Sequence, residues 1–180
     1  MAIVGIGGLG HLGVQFAKAL GYRVVAIDSR PAGRQLATEV VNSELRPDLV
    51  VDSTKADEAA ARIRDFTSGE GLAAAVVCTD SLEANAWALK QLRIQGVLVA
   101  LGLPPEEWRF DSEVMVFREL VIRGSYVADT ESAERMMKVT EKHNVQSHLT
   151  VVPFDEIPGL VDRYRQASFK GRLVVQIAAE

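Results

Sequence analysis

The sequence is poor in the residues that staple or metallate small proteins: one cysteine, Cys78, and three histidines, His11, His143 and His148, in 180 residues. A single cysteine excludes an intramolecular disulfide and suits a reducing, cytoplasmic setting. The lone thiol and the scattered histidines show no zinc-ligand spacing, so no metal ligands are expected. No run approaches the ~20 apolar residues of a membrane-spanning helix. The opening, free of charged side chains until Lys18, lacks the basic start of a secretory signal and is broken by glycines. Positive charge is also scarce. Against 24 Asp and Glu stand 20 Lys and Arg, dispersed along the chain, for a formal net charge of −4, which argues against nucleic-acid or anionic-membrane partners.

What is present is an ordinary globular composition, 48% apolar and 24% charged, and a length that buries a full core. Short β-branched runs alternate with amphipathic stretches. Strands are expected over Ala2–Ile6, Arg23–Ile27, Leu49–Val51, Ala74–Cys78, Val97–Leu101 and Leu120–Tyr126. Most are almost continuously apolar, as strands covered on both faces of a parallel sheet are. The last carries Arg123 and Gly124, which suits an edge. Between them, Leu9, Leu12, Phe16 and Leu20 form one helical stripe and Leu82, Ala86, Leu89 and Leu92 another. Further helices are expected over Pro31–Val41, Ala56–Thr67 and Thr130–His143, with Thr130 as an N-cap and Gly21 just past the end of the first helix. The pattern predicts an α/β fold: a doubly wound, six-stranded parallel sheet over residues 1–148, followed by a helix-strand appendage over 149–180.

Gly5, Gly7 and Gly10 fit G-x-G-x-x-G, directly between a strand and a helix. In that context the first glycine permits a tight turn, the second lets backbone approach a pyrophosphate and the third lets helix pack on strand. Free N–H groups at the helix start then face the phosphates. Asp28 closes the second strand 18 residues after Gly10, close to the ~20-residue offset of an acid that binds the adenosine ribose. Its charge would repel a 2′-phosphate and favours NAD over NADP. Arg30, two residues on, argues the other way, because a guanidinium pairs well with phosphate. Enzymes using S-adenosylmethionine share a glycine turn and an acid, but Gly10 favours a dinucleotide.

Over "VGIGGLGHLGVQFAKALGYRVVAID", "GVLVALGLP", "LVIRGSYVADTESA" and "KGRLVV" the chain resembles the cofactor domain of medium-chain, zinc-type alcohol dehydrogenases, most of all the tetrameric microbial ethanol dehydrogenases. The resemblance implies that Gly7, Gly8, Leu9 and Gly10 surround the pyrophosphate and that Thr79 lies toward the adenosine. It further implies that Leu101, Gly102, Leu103, Ser125 and Val127 flank the nicotinamide and that Arg172 reaches the pyrophosphate. Read alone, Leu101, Leu103 and Val127 also fit core positions, His11 a partly exposed structural role, and Cys78 a small buried hydrophobe.

In that family the zinc ligands belong to a catalytic domain that precedes this fold. The resemblance therefore implies an NAD(H)-binding half, its zinc held elsewhere, that does not turn over alcohols alone. It also implies a homodimer or larger homo-oligomer formed near Phe110–Tyr126. A stand-alone dinucleotide-sensing module is the alternative. Two local expectations follow. "NSELRPD" replaces a shorter turn before the third strand and leaves the end of the second helix open. Leu173–Ile177, separated from the sheet it joins in relatives, should be an unpaired edge that is mobile, displaced or paired with another copy.

Overall fold

Glycine ends the first strand early, and the cofactor-type turn begins there. A computed structural model describes residues 1–166 and 169–177; of the closing segment expected over 149–180, residues 167–168 and 178–180 lie outside the described residues. The order is β1 (Ala2–Val4), α1 (Gly10–Ala19), β2 (Val25–Asp28), α2 (Pro31–Thr38), β3 (Leu49–Asp52), α3 (Ala56–Phe66), β4 (Leu72–Val77) and α4 (Leu82–Lys90). There follow β5 (Leu92–Ala100), α5 (Ser112–Phe117), β6 (Val121–Gly124), α6 (Thr130–His143), β7 (Leu149–Pro153), α7 (Leu160–Arg165) and β8 (Arg172–Gln176).

Six strands form one parallel sheet in the order β3-β2-β1-β4-β5-β6. The order reverses between β1 and β4, which opens a crevice at their carboxyl ends. Alternate residues of the central strands feed two separate cores. Val4, Val25 and Ile27 pack with Ala59 and Ile63 of α3 and Leu89 of α4. Ile3, Val24 and Ala26 pack with Val14 of α1 and Leu36 of α2. Each fully buried Ile, Val or Leu contributes about 1.5–3 kcal/mol. Burial on both faces is what the near-continuous apolar runs require, and the six expected strands are all present.

Several local features differ from expectation. β5 starts at Leu92, five residues before Val97, and pairs Leu92 with Leu72 across a register shift next to Gln95, whose φ is +58°. Leu92 fits the stripe of α4 equally well, so periodicity could not assign it. The N-cap of α6 is Asp129, not Thr130: its carboxylate accepts from the Ser132 N–H at 2.7 Å, at the helix end that favours negative charge. α2 stops at Thr38. The extra residues before β3 make a 3-10 turn, Ser43–Leu45, capped by Asn42 and anchored by buried Leu45. α5, capped by Asp111, was not foreseen. Gly21 does follow α1, at φ +84°, while the Tyr22 N–H returns to the Ala17 carbonyl.

The expected unpaired edge at Leu173–Ile177 is corrected. β8 pairs in parallel with β7 of the same chain, Leu149 opposite Arg172 through Pro153 opposite Gln176. The Thr150 hydroxyl donates to the Lys170 carbonyl at 2.8 Å, which secures the connection. "LTVVP" thus supplies the partner strand, with the crossover between them carried by a 3-10 turn and α7.

Candidate cofactor site

The crevice between β1 and β4 is narrow because its walls contain glycine where they touch. Gly5 leaves β1 at φ +86°, and a Cβ there would stand 2.9 Å from Thr79 Cβ and 3.2 Å from the Cys78 carbonyl oxygen. A Cβ on Gly10 would overlap the Gly5 carbonyl oxygen. The first and third glycines therefore do what their spacing predicts, one turning the chain and one seating α1 on the end of β1.

Between them the backbone donors are free. Leu9 occupies the N-cap of α1 and offers no capping side chain. Among the described residues, the N–H groups of Gly7, Gly8, Leu9 and Gly10 meet no protein acceptor. Such groups at a helix start, aided by the helix dipole, form an anion site. Two arginines flank it. A Cβ on Gly7 would stand 3.7 Å from an Arg30 guanidinium nitrogen, and one on Gly8 would stand 3.1 Å from Arg172 Cδ.

Asp28 is 4% exposed and its carboxylate is fully engaged. Oδ2 accepts from the Ile6 N–H at 2.7 Å and from Arg30 Nη2 at 3.0 Å. Oδ1 accepts from the Arg30 N–H at 2.8 Å and from Arg30 Nε at 3.1 Å. The fork pairs charge with charge in two parallel bonds, and hydrogen bonding to Asp28 raises the Arg30 pKa above its usual value. In this state Asp28 clamps the glycine turn to the end of β2. A ribose hydroxyl must share or displace the guanidinium to reach it.

The cavity above the turn has a volume of about 750 Å³. Gly5, Gly7, Gly8, Asp28 and Thr79 line it, as do Arg30, Ser53, Thr54 and Trp87, and Tyr164 and Phe169 close one side. The last two rings stack at 5.5 Å between centroids. Cys78, half-buried in the wall, has its thiol pushed up to about 11 by burial, so it is inert at neutral pH.

Eight expected residues are outside the cavity lining: Leu9, Gly10 and Arg172, which sit at the glycine turn, and five at the ends of β5 and β6. Gly102 packs against the Thr79 carbonyl, and the Leu103 N–H donates to Asp80 Oδ1 at 2.9 Å. The Ser125 N–H donates to the Ala100 carbonyl at 3.2 Å. Leu103 and Val127 are 82% and 75% exposed, so neither is a core residue, while Leu101 is half-buried. His11 is corrected from partly exposed to 1% exposed. Ser53 and Thr54 were missed, although their place just past β3 follows the rule that ligands gather at strand carboxyl ends. Tyr164 and Phe169 had no local signal, because their position depends on how the closing segment folds back.

Among the described residues, no group of three or more His, Cys, Asp or Glu gathers to hold a metal, and no helix is long and apolar enough to cross a membrane. Residues 8–142 match the family described as zinc-binding dehydrogenase. An alcohol dehydrogenase of Geobacillus stearothermophilus is 35% identical over 98% of this chain and 50% of its own length, and one of Rhizobium meliloti is 31% identical over 97% and 49%. This chain thus spans about half the length of the curated relatives it matches. An alcohol dehydrogenase structure from Aeropyrum pernix superposes with TM-score 0.82 at 26% identity, covering 97% of this chain and 48% of that one. The acetophenone reductase of Geotrichum candidum, solved in complex with NAD, superposes with TM-score 0.78 at 25% identity, covering 97% and 47%. The family match over residues 8–142, with relatives 35% and 31% identical along nearly the whole chain, places this chain in the zinc-binding dehydrogenase family.

Proposed function

We propose that this chain is the NAD(H)-binding half of a zinc-dependent alcohol dehydrogenase that converts an alcohol to an aldehyde or ketone. The observation that carries the reading is the set of four unpartnered N–H groups at the uncapped start of α1, flanked by Arg30 and Arg172 above a cavity of about 750 Å³. A cofactor pyrophosphate is a doubly charged group of matching chemistry. Gly7, Gly8, Leu9 and Gly10 bind it through backbone, and Arg172 offsets its charge. Asp28 orients the adenosine ribose once Arg30 yields, and Thr79 bounds the adenosine side. Leu101, Gly102, Leu103, Ser125 and Val127, on the open rim, flank the nicotinamide. When bound, the cofactor supplies a hydride acceptor. The residues described do not fit zinc, and the Lewis-acid work is assigned to the half of the relatives that this chain does not cover.

NAD is preferred because Asp28 is the buried anion of the ribose site. The fork from Arg30 favours a second reading, since a guanidinium that moves off Asp28 is placed to meet a 2′-phosphate. Calorimetric titration with NADH and NADPH decides between them. The proposal expects tighter NADH binding. Tighter NADPH binding overturns the role of Asp28, and binding of neither overturns the site.

A homodimer through the edge of β6 completes the proposal. Val116 and Phe117 at the end of α5 and Val121 at the start of β6 are 71%, 77% and 41% exposed, a costly surface to leave in water. Sedimentation is expected to report a dimer, and a monomer for Val121→Lys; a wild-type monomer at tens of micromolar contradicts it.

A further inference from the structure

His11 is the one buried histidine among the described residues, and no step above uses it. Its two ring nitrogens reach in opposite directions. Nδ1 lies 2.8 Å from the Gly7 carbonyl oxygen, and Nε2 accepts from the His148 N–H at 3.0 Å, with the Ser147 hydroxyl 3.3 Å away. A carbonyl can only accept and an amide N–H can only donate, so both contacts demand the same neutral ring, protonated at Nδ1.

Each contact leads to the phosphate site. In a trans peptide the carbonyl and the following N–H point in opposite directions. A Gly7 carbonyl drawn back onto His11 therefore turns the Gly8 N–H the other way, and Gly7 and Gly8 both line the cavity. On the other side, the His148 carbonyl accepts from the Arg172 N–H at 2.8 Å, and Arg172 is the residue whose side chain covers Gly8. Gln15, one turn along α1, makes the parallel connection. Its Nε2 donates to the Gln146 carbonyl at 2.8 Å, and its Oε1 accepts from the Gln146 N–H at 3.1 Å. His11 and Gln15 thus form a buried polar seam that docks the segment carrying Arg172.

We propose that His11 is a positioning residue of the phosphate site: its neutral ring sets the Gly8 donor and the Arg172 guanidinium together, so that acid weakens dinucleotide binding. The proposal rests on the cofactor reading above and adds to it a pH-sensitive link between the glycine turn and the closing segment. Protonation at Nε2 removes the acceptor for the His148 N–H and sets two donors face to face.

The surroundings favour the neutral ring. Burial lowers the His11 pKa below its ordinary 6.5, the bond to Gly7 opposes this, and His148 and Arg172 on the closing segment lower it further. Just past α2, Glu39 borders the small cavity of about 170 Å³ beside His11, but its carboxylate is paired with Lys170 Nζ at 3.1 Å. Beyond Gly7, Arg30 is held by Asp28. The sign follows. The docked ring has the lower pKa, so docking is complete above about 6.5 and is lost as pH falls below it.

The test is calorimetric titration of the whole chain with NAD between pH 7.5 and 5.5. Release of the docked, neutral ring in acid is expected to weaken wild-type NAD binding about fivefold over that range. His11→Gln, whose amide oxygen accepts from the His148 N–H without titrating, should bind about threefold more weakly at pH 7.5 and lose the pH dependence. A wild-type affinity flat with pH, or the same pH profile in His11→Gln, overturns the proposal. The wild-type protein alone gives a second measure: by linkage, saturating NAD must lower the His11 pKa seen by NMR, and an unchanged value overturns the proposal. Failure to bind NAD at pH 7.5 overturns the cofactor reading and this role together, whereas binding indifferent to His11 overturns this role only.

Discussion

Gly10→Ala tests whether the glycine turn is fixed by packing as the structure requires. The new Cβ would overlap the Gly5 carbonyl oxygen and come within 2.9 Å of its carbonyl carbon. Both obstacles are backbone, so no side chain can swing aside and α1 must lift from β1. Overpacking costs about 1–3 kcal/mol, and a backbone obstacle puts this case near 3. Replacing a helical glycine returns up to about 1 kcal/mol, which leaves a net loss of about 2–3 kcal/mol. At about 2–4 °C per kcal/mol for a chain of this size, the melting temperature falls by about 4–12 °C. Gly13→Ala is the control. Its Cβ would meet Ile3 side-chain atoms at 3.5 and 3.6 Å, ordinary contact distances, so helix propensity should hold or raise the melting temperature. Thermal unfolding followed by circular dichroism compares the two. Equal stabilities would show that α1 is not seated on Gly5 as described.

Three further outcomes follow from single contacts. Asp129→Ala removes the carboxylate that caps α6 and should cost about 1 kcal/mol, read as a fall of about 2–4 °C in melting temperature; an unchanged value contradicts the cap. Cys78, with its thiol at about 11, holds about a hundredfold less thiolate than an ordinary cysteine, so a disulfide reagent at pH 8 should label it about a hundredfold faster in urea than in the native protein. Arg30→Ala leaves the Asp28 charge without its fork and should weaken NADPH binding about tenfold relative to NADH, the worth of one charge-assisted hydrogen bond; an unchanged ratio removes Arg30 from any contact with a 2′-phosphate.

How much of this was legible in the sequence depended on the range of the interaction. The parallel sheet was readable because burial on both faces writes an apolar run into each strand, as in "RVVAI" and "GVLVALG". The glycine turn was readable because its needs are local: Gly5 must turn and Gly10 must touch Gly5. Pairings between distant segments were not. Leu173 looked unpaired because its partner, Thr150, lies across a crossover, and "LTVVP" alone does not announce a two-stranded sheet. His11 looked partly exposed because its burial comes from Ser147 and His148, far along the chain. Arg30 was visible beside Asp28, but composition could not show that its fork occupies both carboxylate oxygens.

The central claim is that the free N–H groups at the start of α1 hold a dinucleotide. Amide NMR spectra of the 15N-labelled chain during titration with NADH test it most directly. The account predicts that the Gly7, Gly8, Leu9 and Gly10 amides shift most and saturate together with Asp28, Thr79 and Arg172. Binding that moves other amides and leaves those four in place would contradict it.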